Sequence, residues 1–368
     1  MPEQLRQSGS EHSATERGDL LSLASGRSEI VGLVLVSSLI VWHLVSAAAV
    51  GGDAKPAAAL FVSGTAAFLA ARLVARFSDW IFPGLITAGA AGLAWIEWDI
   101  LLRRPLGNPL GYSNAIGSFY MLAAAAALIV AVRVPNSAAK LLFTIFALGF
   151  ASVPWLNGTT TAAMLVLLLP LGLLAGNAAL ARRIIATGAV LMLLIFAATI
   201  GLGITYDPAG ERAGLIDRTV DSALSERRPR LWSEALMLLA ENPVVGIGPG
   251  RFAVESPTAI LHPVDTRWAH HELLQLGAET GIIGLILGLA LFAWAFALLW
   301  WRASGRGAAI AGLALTAAGV HSNVDYVFHF PLVAMTAAGL VAAGLVVRAE
   351  TPSSVNSNAS QTPPSVNG

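Results

Sequence analysis

Between residues 29 and 348, apolar runs of 18 to 29 residues alternate with short polar breaks. A helix needs about 20 apolar residues to cross a bilayer. The pattern therefore predicts ten spans, near 30–50, 57–75, 80–100, 114–132, 139–156, 160–178, 184–204, 273–301, 307–325 and 330–347. One break is long, 205–272. Within it, "RRPRLWSEALMLLAENP" carries Leu231, Trp232, Ala235, Leu236, Leu238 and Leu239 at helical spacing. That predicts a short amphipathic helix, too short to span, lying on the membrane surface or packed on the bundle. Pro229 suits its first position and Asn242-Pro243 its end. Residues 1–28 are polar and mixed in charge, and the last stretch, 349–368, is a Ser/Asn/Pro tail; both read as disordered. The expected architecture is an all-α integral membrane protein. It has about ten transmembrane helices over 29–348 and one large extracytoplasmic loop, 205–272.

Composition agrees with the pattern. Of 368 residues, 56% are hydrophobic and 12% charged, and the mean hydropathy is +0.70; a soluble domain carries roughly 25% charged residues. The formal net charge is zero, which gives no general attraction to nucleic acid. Cysteine is absent, which removes disulfides, thiolate nucleophiles and cysteine metal sites.

Charge also orients the chain. If the N-terminus is cytoplasmic, the inner segments hold twelve basic residues: Arg6, Arg17, Arg27, Arg72, Arg76, Arg133, Lys140, Arg182, Arg183, Arg302, Arg306 and Arg348. The short outer segments hold only Lys55, Arg103 and Arg104. The positive-inside rule then predicts both termini in the cytoplasm. The long loop holds the remaining seven basic residues, all arginine: Arg212, Arg218, Arg227, Arg228, Arg230, Arg251 and Arg267. Arginine binds oxyanions through a fixed fork of donors, which lysine does not imitate. A solvated surface balanced by Asp207, Glu211, Asp217, Asp221 and Glu226 is the competing reading of the loop as a whole.

Candidate chemistry concentrates in this loop and its neighbours. Arg228 and Arg230 fall at the N-terminal end of the short helix, where backbone N–H groups and the helix dipole also favour an anion. Together they describe a pyrophosphate site, with headgroup anchoring as the bland alternative. The glycines of "VVGIGPGRF" are no dinucleotide fingerprint, since no strand precedes them. They suit a tight re-entrant turn that brings Arg251 to the membrane surface. Next come His262, His270, His271 and Glu272. "HHELLQ" is not a zinc motif, because Gln275 stands where a second histidine would be, so no metal is expected. On a helix, His270 and His271 point about 100° apart. The hairpin "HSNVDYVFHFP" adds His321, Asp325 and His329 on the same side, and a carboxylate at Asp325 needs a partner. Glu97 and Asp99 end the third span, and "RRPLGNPLGYSNAIGSF" is an outward loop rich in turn formers.

"RRPRLWSEALMLLAENPVVGIGPGRF" followed by "AHHELLQLGAETGIIG" resembles the core of the O-antigen ligase and polymerase superfamily. "PLGYSNAIGSFYMLAAA" resembles that family's upstream loop and span, and "HSNVDYVFHFPLVAMTAAGL" its closing hairpin. The resemblance covers 105–345 in outline and 226–285 in detail. It implies a GT-C-like glycosyltransferase of the bacterial inner membrane that needs no cofactor. Such an enzyme moves a glycan from an undecaprenyl-pyrophosphate carrier to an acceptor sugar or glycolipid at the outer face. By resemblance, Arg228 holds the pyrophosphate, with Arg230 as the competing assignment. His270 is the base on the acceptor hydroxyl, and His271 falls where the family often has Asn. Glu272 and Glu279 match acidic positions around the helix, while Arg230, Arg251, His271, Glu272, His321 and Asp325 are the substrate-binding candidates. A transporter of small anions or glycan lipids is the alternative. Such a carrier calls for ionisable residues along mid-span, where this chain has chiefly His43.

Overall fold

The computed structural model describes residues 3–97, 110–206, 227–263 and 266–346, with only the helical backbone described for 3–25. Asp99, Arg103, Arg104, the 207–226 part of the long loop with Arg212 and Arg218, and the C-terminal tail lie outside the described residues. The described residues are mostly helical, and none of them forms a strand.

The helices, in chain order, are α1 (Glu3–Val50), α2 (Lys55–Val74), α3 (Ile81–Ile96), α4 (Ser113–Arg133), α5 (Ser137–Leu156), α6 (Thr160–Leu165), α7 (Ala178–Thr205), α8 (Arg228–Glu241), α9 (Phe252–Glu255), α10 (Pro257–Leu261), α11 (Glu272–Trp301), α12 (Arg306–Ser322) and α13 (Pro331–Gly344). Six of the ten expected spans coincide with helices long and apolar enough to cross a membrane: Gly26–Val50, Lys55–Val74, Ser113–Arg133, Ser137–Leu156, Ala178–Thr205 and Glu272–Trp301. The other four fall on shorter helical segments: Ile81–Ile96, Thr160–Leu174, Pro331–Gly344 and Arg306–Ser322. In the sixth expected span the helix changes character. After Leu165 the chain winds as a tighter 3-10 helix, Val166–Leu174, around Pro170, whose ring and missing N–H break the α-helical ladder. Helix α1 reaches back to Glu3, into the segment that composition reads as a tail; no proline lies between Pro2 and Pro56 to stop it.

Leu141, Leu142, Ile145 and Leu148 on α5, and Val190, Leu193 and Leu194 on α7, present large apolar side chains outward. Bands of this kind suit lipid rather than water. Together with their length, they make this a multi-pass helical membrane protein. At the centre stand α4 and α12, buried almost throughout. The run Ala123–Ala127 and the small residues of α12 let backbones approach closely, which is how helices pack without a hydrophobic drive in lipid. At one end of the bundle the Arg133 guanidinium bonds the carbonyls of Asp79 and Ala343. The opposite end carries the start of α4, the start of α11 and the turn between α12 and α13, and the candidate residues gather there.

Candidate functional site

Asp325 is the hub of the site. Its carboxylate is fully buried, in the turn after α12. Nδ1 of His270 lies 3.1 Å from Oδ1, and a terminal nitrogen of Arg228 lies 3.3 Å from Oδ2. The Tyr112 hydroxyl donates to both oxygens at 2.9 and 2.8 Å. The Asn114 amide donates to Oδ2, and the backbone N–H of Tyr326 to Oδ1 at 2.8 Å. Burial opposes the charged carboxylate. The hydrogen bond from His270 and the charge of Arg228 outweigh it and hold Asp325 well below the usual carboxylate range. Burial and the Asp325 charge push the Tyr112 hydroxyl up, so it stays protonated and donates. Because a carboxylate only accepts, Nδ1 of His270 carries the ring proton in this pair, and Nε2 is the acceptor of a neutral ring.

The two adjacent histidines do different things. Helix α11 begins at Glu272, so neither sits inside it, and the expectation of two side chains about 100° apart on a helix is corrected. His270 has φ +51°, the one positive φ outside glycine among the described residues. Such a backbone costs an L-residue about 1–2 kcal/mol, and it is held from both sides. The Trp232 indole donates to the His270 carbonyl at 3.2 Å, and the Ala269 N–H to the Gln275 side chain at 3.0 Å. The bend sends His270 towards Asp325 and His271 into the core. His271 caps α11, with Nδ1 accepting from the Leu274 N–H at 3.3 Å. Its Nε2 lies 2.8 Å from the Thr199 hydroxyl. Fully buried, it is pushed down to about 3 by desolvation and is neutral.

The expected helix ends fall where punctuation placed them, with Pro229 inside the first turn of α8 and Asn242 as its C-cap. Helix α8 packs on α7 and α11 through Leu231, Trp232, Ala235 and Leu238. Arg228 is its first residue, and no side chain caps its N-terminus. Arg230 points elsewhere: its Nε lies 3.4 Å from Glu234, which also accepts from Ser256, Thr258 and the Thr258 N–H. Arg251 donates to the carbonyl of Val50 at 2.8 Å and pairs with Glu255.

The glycine turn, 243–250, is a backbone splice. Gly281, at φ +72°, breaks α11. Ile282 N–H turns to the Pro243 carbonyl at 2.8 Å, while the carbonyls of Ala278 and Glu279 accept from Ile247 and Gly248, both at 2.9 Å. A Cβ on Gly246 would stand 2.3 Å from Glu279 backbone, and one on Gly281 2.0 Å from the Val244 carbonyl. Glu279 receives the N–H groups of Gly250 and Phe252 at 2.9 and 3.4 Å, so its carboxylate holds this turn.

Among the sequence candidates, the structure thus joins His270, Arg228 and Asp325 directly. His321 forms a second layer, fully buried, with Nδ1 2.7 Å from the Ser118 hydroxyl and Nε2 without a partner among the described residues. Glu272 pairs instead with His329, 3.0 Å away. His271, Arg230 and Arg251 take the partners given above. Sequence reasoning missed Tyr112 and Asn114. The polar "YSN" just before a long apolar run was the available signal, but the loop read as turn formers. Among the described residues, no group of three or more His, Cys, Asp or Glu is set to hold a metal ion.

Fold and site define the class: a helical membrane protein with a histidine and an arginine bound to one buried aspartate at one end of its bundle. Residues 144–289 match the family model described as O-antigen ligase. The match supports membership of the chain in the O-antigen ligase and polymerase superfamily, and with it glycan ligation or polymerisation in general. It runs from α5 into α11, containing Arg228 and His270; Tyr112, Asn114 and Asp325 lie outside it. The transporter alternative is not favoured. No curated protein matches the chain.

Proposed function

We propose that this protein transfers a glycan from an undecaprenyl-pyrophosphate carrier to an acceptor sugar at the outer face of the bacterial inner membrane. Both termini are then cytoplasmic and residues 205–272 form the extracytoplasmic loop. The observation that carries the reading is the buried Asp325 carboxylate shared by His270 and Arg228. A donor carried on a lipid keeps its reactive pyrophosphate at headgroup level, and these groups sit where helices end.

In this reading Nε2 of His270 takes the proton of the acceptor hydroxyl. The hydroxyl oxygen attacks the anomeric carbon, and the bond from that carbon to the pyrophosphate oxygen breaks. The electron pair leaves with undecaprenyl pyrophosphate, whose charge meets Arg228 and the uncapped N–H groups of α8. Asp325 fixes the His270 tautomer and holds Arg228 beside it, so catalysis is positioning plus charge stabilisation and uses no metal. His271, Arg230 and Arg251 act on the frame of the site in this scheme, and His321 supports it from behind.

The test is transfer by purified protein from a lipid-linked oligosaccharide donor with EDTA present. His270→Ala is expected to lose about 10²–10⁴-fold in turnover. Arg228→Ala is expected to be inactive, and Arg228→Lys only partly active, because a point charge replaces a fork. Wild-type activity in either alanine variant, or dependence on added metal, overturns the mechanism.

A further inference from the structure

A cavity of about 560 Å³ lies between α1, α2, α11 and α13, within the range of small-molecule sites. Its walls are apolar, with Leu33, Val36, Phe61, Phe68, Leu276 and Phe292 among them. At one end it is lined by Glu29 of α1, which pairs with Arg72 of α2 at 3.0 Å. The other end reaches Trp268, Glu272 and His329.

Two features of this cavity are unexplained by packing. The first is His43, an imidazole set into an apolar wall and 5% exposed. Its Nδ1 lies 2.7 Å from the Leu39 carbonyl. A carbonyl only accepts, so Nδ1 carries the hydrogen and the neutral ring offers Nε2 as an acceptor. No described residue donates to that nitrogen. An ionisable residue within a span marks function by default, and this one asks for a ligand with a donor at that depth. Seven residues separate it from Val50, about 10 Å of helix, close to the headgroup end of a lipid chain. The second feature is the pair at the mouth. Burial opposes a charged His329, but the charge and hydrogen bond of Glu272 prevail and raise it. The Trp268 ring lies 4.3 Å from that imidazole and offers a flat apolar face. The Tyr326 ring, 4.8 Å from His270 and 6.0 Å from Trp268, links this mouth to the Asp325 cluster.

We propose that the cavity binds the acyl chain of a glycolipid acceptor, with Nε2 of His43 accepting from an amide or hydroxyl on the chain and Glu272, His329 and Trp268 holding the adjoining sugar. A polyisoprenoid carrier has no donor along its chain and leaves His43 unmatched. The acceptor role rests on the glycan-transfer reading; the binding of the lipid does not.

The experiment measures quenching of tryptophan fluorescence in the purified full chain by two brominated lipids: an N-acylglucosamine and its alkyl glucoside twin, which lacks the amide. The amide lipid is expected to bind about twofold to tenfold tighter, the worth of one net hydrogen bond. His43→Leu is expected to erase that preference while keeping the glucoside bound. Gly64 lines the cavity, and a Cβ there meets nothing within 4 Å. Gly64→Phe should therefore fill the space and abolish quenching by both lipids at an unchanged melting temperature. Equal affinities in the wild type, or undiminished quenching in Gly64→Phe, overturns the proposal. So does displacement of the amide lipid by undecaprenyl phosphate as effective as by its own unbrominated form. Binding as expected without glycan transfer from any lipid-linked donor sinks the transfer reading and leaves the lipid site standing. Transfer without binding sinks the lipid site alone.

Discussion

Asp325→Asn keeps the shape of the hub and removes its charge. Five groups donate to the two carboxylate oxygens: Tyr112, His270 and the Tyr326 N–H on Oδ1, and Tyr112, Asn114 and Arg228 on Oδ2. Asparagine keeps one acceptor oxygen and brings two N–H donors, so its amide nitrogen meets donors whichever way it turns. Turned to keep His270 and Tyr326, it sets the nitrogen against Arg228 and Asn114. Removing one partner of a fully buried ion pair costs about 3–5 kcal/mol. Here the Arg228 side chain retains 15% exposure, which lets water reach it, so about 2–3 kcal/mol of stability is expected to go. The catalytic loss is larger. A neutral partner no longer steadies the imidazolium that forms on proton transfer, and the comparable change in a serine-protease triad costs about 10⁴ in kcat. A loss of about 10²–10⁴-fold in kcat is expected for Asp325→Asn. KM for the donor should not rise, since Arg228, relieved of its counter-ion, still meets the pyrophosphate. The assay is transfer by purified variant and wild type from a lipid-linked oligosaccharide, with folded fractions matched by size exclusion and thermal melting. A kcat within about threefold of wild type at matched folding would refute the positioning role of Asp325.

Two further outcomes concern the frame. In His271→Asn the amide oxygen can still cap α11, but the shorter side chain gives up Thr199, which should cost about 1–2 kcal/mol near neutral pH. Wild-type His271 stays neutral when folded, at about 3, while the unfolded histidine takes up a proton below about 6.5. Its stabilisation is therefore full above that pH and falls by about 1.4 kcal/mol per unit on acidification towards 3. The asparagine variant lacks this slope, so its melting curve should converge on that of the wild type between pH 6.5 and 5; parallel curves would contradict a neutral buried His271. Gly281→Ala is expected to cost about 3 kcal/mol or more, since a Cβ at φ +72° meets the Val244 carbonyl at 2.0 Å. Gly89→Ala, in open space on α3, serves as the neutral control, and equal melting temperatures for the two variants would remove the splice from the argument.

Much of this protein was legible in the order of its residues because membrane physics is one-dimensional. Apolar run length decides what can span, proline and asparagine-proline mark where helices start and stop, and these signals located α2, α4, α5, α8 and α11 closely and the C-terminal ends of α1 and α7. The association of Arg228, His270 and Asp325 was partly legible too: charged and imidazole groups at helix ends stand out against lipid-facing leucine and alanine. Sequence could not say which of Arg228 and Arg230 faces the aspartate, because that depends on how α8 rolls against α7 and α11. Only the family resemblance set His270 apart from His271, since no local pattern does. Their division of labour follows from one left-handed residue, held by Gln275 from the helix that follows it and by Trp232 from α8, which reaches it only in the folded chain. Tyr112 and Asn114 come to Asp325 from more than 200 positions away, and no local pattern encodes such a distance. The glycine turn is the clearest case. Its residues announce a tight bend, but the exchange of hydrogen bonds with the break at Gly281 exists only when two backbones meet without side chains between them.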